Sequence, residues 1–262
     1  FLTEDPAGDG TNWYAYCGND PVNFTDPSGL IPTALEAADM AQHVYSYSDG
    51  KSYPLSGGWK ADYLITGGDG MMMGVYWREK RDGSIEYALV SKGSALGIGD
   101  MWDQTKSDWK NNVQQPFGAS DDVIVGIKKS VKFVEQHDSY EITFIGHSKG
   151  GAEAAANAVA TNRNAILFNP MTVNLEAYSG TRNKVDSYTG SMTAYIVKGD
   201  ILNNVFGWVS SPIDKVVYLP QQHSTPRWCI TPRVRLAMNT ITAIQNHFMD
   251  AMIDALKEAG YR

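Results

Sequence analysis

The sequence predicts an α/β fold in which a mostly parallel central sheet is flanked by helices. Short apolar runs rich in β-branched residues alternate with helical patterns along most of the chain, as expected for helices packed on a parallel sheet. One of these runs, at 141–146, fits a buried central strand and leads directly into an Ala-rich helical run. The length of 262 residues and the 43% content of hydrophobic residues suit one large domain, with or without a short appendage.

The chain divides into a series of predicted helices and strands. The apolar positions of 34–44 follow the spacing of an amphipathic helix, with Pro32 near its start. After a Gly- and Tyr-rich stretch, strands are predicted at 72–78 and 85–91, joined by a hairpin turn at 81–83. The remaining predicted elements are, in order, a helix at 123–136, a strand at 141–146, a helix at 152–160, strands at 165–168, 193–198 and 215–220, and a last helical segment from about 233 to 259.

Composition and charge argue against several classes of protein. The net charge of −7 and the lack of a basic run argue against nucleic-acid binding, which needs a basic face. Cys17 and Cys229 do not form a C-x-x-C pair, so a zinc site has no support and we expect no metal and no cofactor. No apolar stretch reaches the ~18 residues that span a bilayer. The N-terminal residues also lack the basic and apolar regions of a signal peptide.

The segment GHSKG at 146–150 matches the pattern G-x-S-x-G and predicts a nucleophile at Ser148. A strand pattern precedes it and a helix-forming pattern follows it, as the strand-to-helix elbow of the α/β-hydrolase fold requires. The helix N-terminus would place N–H groups beside the serine, where an oxyanion forms. The alternative is a Gly-rich turn with an incidental serine. His147 is unsuited by position to act as the base, and we expect it to have a packing or hydrogen-bonding role.

A serine nucleophile needs a base and a carboxylate that orients the base, and in this fold both follow the serine along the chain. Asp200 ends a predicted strand, so it would emerge at the carboxyl edge of the sheet, where catalytic groups gather. The less well placed carboxylates are Asp186, Asp214 and Asp250. The two histidines after the serine, His223 and His247, are equally plausible bases on position alone. His247 precedes an amphipathic segment, whereas His223 lies in a polar loop.

Several apolar side chains could line an acyl channel or form a lid. The Met cluster at 71–73 and the pair Trp102 and Trp109 are candidates, although interior packing is the commoner role of Met and Trp. The segment 203–211, which carries Phe206 and Trp208, is a candidate lid or an ordinary surface loop.

Four motifs resemble class 3 lipases, particularly their bacterial lipase-like members: FIGHSKGG, AYIVKGD, NHFMDAMIDAL, and YALVSKGSALG with WDQTKSDWKNN behind it. The resemblance implies a Ser148–Asp200–His247 triad, and so favours His247 over His223 as the base. It also implies an oxyanion hole built by Ser94 and by the N–H of Lys149. Lys92 stands where the family usually has Arg, and Lys149 where it usually has Leu. The second change puts a charge near the expected acyl pocket.

Residues 1–30 are dense in turn dipeptides and interleaved aromatics. Their opening FLTEDPAG, middle NWYAYCGNDPVNF and ending DPSGL resemble the C-terminal end of the core of Rhs/YD-repeat proteins. The resemblance implies a protein shell that cleaves itself after Leu30 with the help of Asp5 and Asp26. It also implies that residues 31–262 are a toxin domain, secreted as an effector and delivered into target cells.

Together these resemblances imply an antibacterial serine lipase or phospholipase, that is, a carboxylic-ester hydrolase acting on membrane lipids. The expected site of action is the membrane or the periplasm of a target cell. The expected partners are a lipid or phospholipid substrate, the Rhs shell of the parent protein and an immunity protein. Two alternatives stay open: an esterase, thioesterase or acyltransferase with the same triad, and a non-catalytic binding module with a hydrolase fold.

Overall fold

The computed structural model describes residues 32–67, 71–80, 83–93, 121–202, 213–226 and 231–261. These ranges contain α-helices and β-strands in alternation. The helices are α1 (Ala34–Ser48), α2 (Asp121–Gln136), α3 (Lys149–Thr161), α4 (Pro232–Gln245) and α5 (Met249–Glu258). The strands are β1 (Lys60–Thr66), β2 (Met72–Glu79), β3 (Ile85–Ser91), β4 (Glu141–His147), β5 (Asn164–Phe168), β6 (Met192–Val197) and β7 (Lys215–Leu219).

The strands form one seven-stranded sheet in which they lie side by side in sequence order. Strands β1, β2 and β3 pair antiparallel, and every pair from β3 to β7 is parallel. The predicted α/β-hydrolase fold, with its mostly parallel sheet, is therefore confirmed. Because parallel strands end at the same edge, the residues that follow β4, β5 and β6 come together at one side of the sheet.

Helices cover both faces of the sheet, and each face has its own core. Helices α2 and α3 pack on one face around side chains such as Met73 and Phe144. Helices α1 and α5 pack on the other face around Ile145 and Met252. Phe144 and Ile145 are neighbours in β4, so this strand is buried on both sides, which explains its run of apolar and β-branched residues.

A capping box starts α1 and links this helix to the sheet. The Thr33 hydroxyl accepts a hydrogen bond from the N–H of Glu36 at 3.2 Å, and the Thr33 N–H donates to the Glu36 carboxylate at 2.9 Å. The same carboxylate pairs with Arg78 of β2, with 2.9 Å between Nη1 and Oε1. This start agrees with the predicted helix at 34–44, and the helix continues one turn further.

The secondary structure departs from the prediction in two places. Strand β1 lies in the Gly- and Tyr-rich stretch, where no strand is predicted. It is a mostly exposed edge strand whose pairing with β2 shifts between Ala61 and Leu64, so it has no regular alternation of apolar residues. The last helical segment is two helices, α4 and α5, which are separated at 246–248. Thr231 and Pro232 begin α4 as N-cap and first helical residue.

Other expectations are confirmed or lie outside the described residues. The β2–β3 hairpin forms as predicted, and Gly83 takes a positive φ of 80° in its turn. Met71 and Met73 are buried in the core, so they pack rather than line a channel. The pair Trp102 and Trp109, the candidate lid at 203–211 and the segment 1–30 are outside the described residues. Among the helices that the structure describes, none is long and apolar enough to span a membrane.

Candidate active site

Ser148 lies between β4 and α3 in a strained backbone conformation. Its φ is 58° and its ψ is −125°, in a region that residues with a side chain rarely occupy. The side chain is buried at the carboxyl edge of the sheet. Its N–H donates to the carbonyl of Phe168 at 3.1 Å, which links the turn to the end of β5. This is the geometry that the predicted nucleophile elbow requires.

Close backbone packing explains the glycines on either side of the serine. A Cβ on Gly146 would collide with the carbonyl of Gly150. A Cβ on Gly150 would collide with the carbonyl of Ser91 and would come within 2.8 Å of the N atom of Gly93. The strand, the helix and the end of β3 therefore meet around Ser148 with no room for side chains.

Of the two residues expected to build the oxyanion hole, the structure describes Lys149, which lies at this junction. Lys149 is the first residue of α3, and the first N–H groups of a helix have no acceptor within the helix. These groups also carry the positive end of the helix dipole, which favours an anion. Ser94 is outside the described residues. Gly93, which precedes it, lies against the elbow, because a Cβ there would come within 3.4 Å of the Ser148 Cβ.

Asp200 and His247 form a buried hydrogen-bonded pair. The distance between Asp200 Oδ2 and His247 Nδ1 is 2.6 Å, and both side chains are almost fully buried. A tight turn after β6, with Gly199 at a φ of 82°, brings Asp200 back over the sheet edge. Because the carboxylate accepts, Nδ1 carries the proton and Nε2 of His247 is left as an acceptor. His247 lies in the break between α4 and α5.

The rival candidates are engaged elsewhere or exposed. The Asp214 carboxylate accepts the N–H of Met192 at 2.8 Å at the start of β6. Asp250 is exposed and bonds to Gln42 of α1. Asp186 and His223 are also exposed. Among the candidate carboxylates, all of which the structure describes, Asp200 is the one that hydrogen-bonds to a candidate base, His247.

Two buried asparagines, which the sequence analysis missed, hold the turn that carries His247. The side-chain amide of Asn169 donates to the carbonyls of Asn246 at 3.1 Å and His247 at 3.2 Å. Its oxygen accepts the N–H of Val197 at 2.9 Å. Asn169 has a positive φ of 39°, and the dipeptide Asn-Pro after a strand was a turn signal that could have drawn attention to it.

Asn246 holds the loop that follows β7. Its side-chain oxygen accepts the N–H groups of Gln222 at 3.1 Å and His223 at 2.8 Å, and its amide donates to the His223 carbonyl at 2.8 Å. This fully buried side chain therefore stabilises the break at which His247 sits. The contribution of His223 to the site is made by its main chain.

The side chain of Lys149 points to α2. Its ammonium pairs with Asp122 in the first turn of α2, and with Glu153 one turn along α3 at 3.5 Å. Burial acts to lower the pKa of Lys149, but the two carboxylates outweigh it and the pKa is raised. The expected charge near the acyl pocket is thus paired with acidic groups. Lys92, the other departure from the lipase pattern, donates to the Ser48 hydroxyl at 2.6 Å.

Glu153 is a buried carboxylate beside the elbow, with an exposed fraction of 1%. Burial is the largest influence on its pKa and raises it from 4.5 to about 7. Lys149 acts in the opposite direction, and Asp122 adds to the increase. The folded protein therefore prefers Glu153 in its neutral form below about pH 7.

The chain matches a family model and several solved structures. The model describes a phospholipase-like domain, the Tle-like phospholipase domain, and it matches residues 36–254. No curated protein sequence matches significantly. Within the described ranges, no three His, Cys, Asp or Glu side chains are grouped so that they could hold a metal ion.

The similar structures are lipases of low sequence identity. Rhizomucor miehei lipase in its propeptide complex is 14% identical with a TM-score of 0.43, and the match covers 66% of this chain and 62% of that one. A fungal lipase–inhibitor complex is 16% identical with a TM-score of 0.42, covering 66% and 73%. The M37 lipase is 12% identical with a TM-score of 0.36, covering 75% and 82%. The chain thus spans less than two thirds of the length of the first of these lipases.

The raised pKa of Glu153 predicts a pH-dependent stability. An acid whose pKa is higher in the folded state loses stability as the pH rises from its unfolded pKa, here 4.5, through the folded value of about 7. Replacing Glu153→Gln removes this loss. We therefore expect the free energy of unfolding of the variant, relative to wild type, to rise by about 2.5 kcal/mol between pH 5 and pH 8.5.

Urea unfolding at the two pH values measures this difference. Glu135→Gln, which changes an exposed carboxylate of α2, is the control and should show no such trend. A Glu153→Gln protein whose stability relative to wild type is the same at both pH values would contradict the prediction.

Proposed function

This chain belongs to the family of Tle-like phospholipase domains, and from that premise we propose that it is a serine phospholipase with a Ser148–His247–Asp200 triad. The observation that carries the proposal is the strained serine between β4 and α3, on the same sheet edge as the buried Asp200–His247 pair. A phospholipid is an ester, and hydrolysis of an ester by a serine needs a nucleophile, a base and an oriented carboxylate.

The arrangement of the strands supports this grouping. Ser148 follows β4 and Asp200 follows β6, and only β5 separates these two parallel strands. Neighbouring strands are about 4.8 Å apart, so the two strand ends are about 10 Å apart, a gap that an imidazole can bridge. The ring centre of His247 is 4.8 Å from the ring centre of His147, the residue before the serine.

In the proposed mechanism, Ser148 Oγ attacks the ester carbonyl carbon while Nε2 of His247 takes the hydroxyl proton. The carbonyl oxygen becomes an oxyanion that accepts hydrogen bonds from the N–H groups of Lys149 and Ser94. Collapse of this intermediate breaks the ester bond, and the leaving alcohol takes the proton from His247. Water then attacks the acyl-serine by the same route and releases the fatty acid.

Asp200 orients the base and stabilises its charged form. Its hydrogen bond to Nδ1 keeps Nε2 of His247 directed away from the carboxylate. When Nε2 takes the serine proton, the ring becomes a cation beside a buried carboxylate at 2.6 Å, a charge-assisted bond of the stronger kind.

The first part of α4 supports a membrane lipid as the substrate. Val234 and Leu236 are 46% and 60% exposed, although both are apolar. Residues 215–249 include four Lys or Arg and no Asp or Glu, in a chain with a net charge of −7. An exposed helix with apolar and cationic residues suits an anionic lipid surface. The last part of α4 leads directly to His247.

The triad predicts a specific pattern of losses. Ser148→Ala should remove hydrolysis of a soluble short-chain ester, a loss of ~10⁶ in kcat, because the nucleophile is gone. His247→Ala should be nearly as inactive, since triad members act as a unit. His223→Ala should keep at least a tenth of the wild-type kcat/KM, since its side chain is exposed.

Kinetics on the three folded variants, with fluorophosphonate labelling of the wild type, measure these effects. An active Ser148→Ala protein would exclude Ser148 as the nucleophile. An inactive His223→Ala beside an active His247→Ala would reverse the choice of base. Failure of the wild type to react with the probe would favour a non-catalytic module.

The surface of α4 predicts a loss that depends on the form of the substrate. Leu236→Ser should lower hydrolysis of phosphatidylglycerol vesicles by about tenfold or more, because insertion of a leucine side chain contributes about 1.5–3 kcal/mol. Hydrolysis of a soluble ester should not change. Tyr63→Ser, which alters an exposed apolar residue of edge strand β1, is the control. Equal losses on vesicles and on the soluble ester would exclude α4 as a lipid-contacting surface.

We further propose that this domain is an antibacterial effector delivered by an Rhs shell and acting at the membrane or periplasm of the target cell. The support is the resemblance of residues 1–30 to the end of an Rhs core. A toxin of this kind would be neutralised in the producing cell by an immunity protein that binds it.

The shell hypothesis predicts a cleavage site. A longer protein with a complete shell should split after Leu30 and release a fragment that begins at Ile31. Asp26→Asn should prevent the cleavage because the motif aspartate supplies the acid–base chemistry, whereas Asp9→Asn, outside the motif, should not. Intact-mass spectrometry of the purified protein distinguishes these outcomes, and a different new N-terminus would refute the assignment.

A further inference from the structure

His147, the residue before the proposed nucleophile, connects two parts of the site through its ring. Its Nδ1 is 3.0 Å from the hydroxyl of Tyr45 in α1, and its Nε2 is 2.7 Å from the main-chain carbonyl of His247. We propose that Tyr45 and His147 are positioning residues that hold the main chain of the base in place for catalysis. This inference rests on the proposed function and adds to it two residues that touch neither substrate nor the reacting atoms.

The hydrogen-bond partners determine which atoms of the Tyr45–His147–His247 hydrogen-bond chain carry protons. A carbonyl oxygen can only accept, so Nε2 of His147 must donate to the His247 carbonyl. In a neutral ring the other nitrogen is then an acceptor, and the Tyr45 hydroxyl must donate to it. The direction of the chain is therefore fixed: Tyr45 donates to His147, and His147 donates to the base.

The surroundings keep the His147 ring neutral. Burial is the main cause that lowers its pKa to about 3, and the neighbouring His247 lowers it further. Burial also raises the pKa of the Tyr45 hydroxyl, so this group keeps its proton. Each member of the chain can thus donate and accept as described at any pH at which the enzyme would work.

The base needs such support because it lies outside regular secondary structure. His247 sits in the break between α4 and α5, where its N–H still bonds to the Ile244 carbonyl of α4 at 2.9 Å, whereas its own carbonyl is held by side chains. His147 holds its carbonyl from β4, the strand that carries the nucleophile, and Asn169 holds it from the end of β5. The ring is held separately by Asp200. The chain therefore links the position of the base to the strand of the nucleophile.

Tyr45 also contacts the peptide that leads to the expected oxyanion residue. A Cβ on Gly93 would collide with the Tyr45 hydroxyl and come within 2.5 Å of the His147 carbonyl. Gly93 directly precedes Ser94. The Tyr45 hydroxyl thus contacts both the His147 ring and the peptide of Gly93 that follows β3.

The protein contains a second hydrogen-bonded histidine–tyrosine pair, which serves as a matched control. His43 Nδ1 lies 3.0 Å from the hydroxyl of Tyr76, and both residues are fully buried between α1 and β2. This pair has the same bond and the same length as the Tyr45–His147 pair but has no contact with His247. A buried hydrogen bond that only stabilises the fold should behave alike in both places.

The test compares Tyr45→Phe with Tyr76→Phe, each of which removes one hydroxyl from such a pair. Both should lower the midpoint of thermal unfolding, because each removes a hydrogen-bonded hydroxyl. Tyr45→Phe alone should lower kcat for a soluble ester by about tenfold, with KM within about twofold of wild type. The rate of fluorophosphonate labelling should fall by the same factor, since it reports the same nucleophile and base.

A second pair of variants changes His147 itself. His147→Gln keeps a side-chain N–H that can donate to the His247 carbonyl, whereas His147→Met fills similar space with no donor. We expect the kcat of the His147→Gln protein to be severalfold higher than that of the His147→Met protein. The two proteins should have equal thermal stability. If the Tyr45→Phe and Tyr76→Phe proteins have equal activity, this inference is overturned and the proposed function is not affected. A wild-type protein that neither hydrolyses the ester nor reacts with the probe would overturn the proposed function, and this inference with it.

Discussion

Close packing of the backbone around Ser148 is the constraint on which the rest of the site depends. Strand β4, helix α3 and the end of β3 approach one another so tightly that neither Gly146 nor Gly150 has room for a side chain. The serine between them is held in a conformation that it would not adopt by itself, at a free-energy cost of order 1–3 kcal/mol. The surrounding packing offsets that cost. The result places the Ser148 hydroxyl and the N-terminus of α3 at the same point of the sheet edge.

The parallel sheet then determines what can reach this point. Ser148, Asn169 and Asp200 follow three adjacent strands, so strand spacing and short turns set their relative positions. His247 is different, because it enters from a break between two helices. Its position depends on polar contacts to its main chain from His147 and Asn169. The sheet therefore places the proposed nucleophile and carboxylate, and individual side chains help to place the proposed base.

This difference explains what the sequence could and could not predict. Ser148 and Asp200 end local strand patterns, so neighbouring residues were enough to predict that both lie at the carboxyl edge of the sheet. The helix break was missed because apolar residues at 241, 244, 248 and 252 keep helical spacing across it. Asn246 binds the loop at 222–223 there, which no local pattern reveals. Strand β1 and the contacts of Tyr45 likewise depend on partners far away in the chain.

Lys149 shows how one residue can satisfy two unrelated requirements. The first N–H of α3 is a backbone group, and any residue but proline can supply it. The side chain is then free to serve the fold, and here it joins α2 to α3 through Asp122 and Glu153. When Glu153 is neutral, the cluster holds one cation and one carboxylate, so the charges cancel at the helix junction. A lysine can therefore replace the usual leucine after the proposed nucleophile without leaving an unpaired charge beside the proposed oxyanion site.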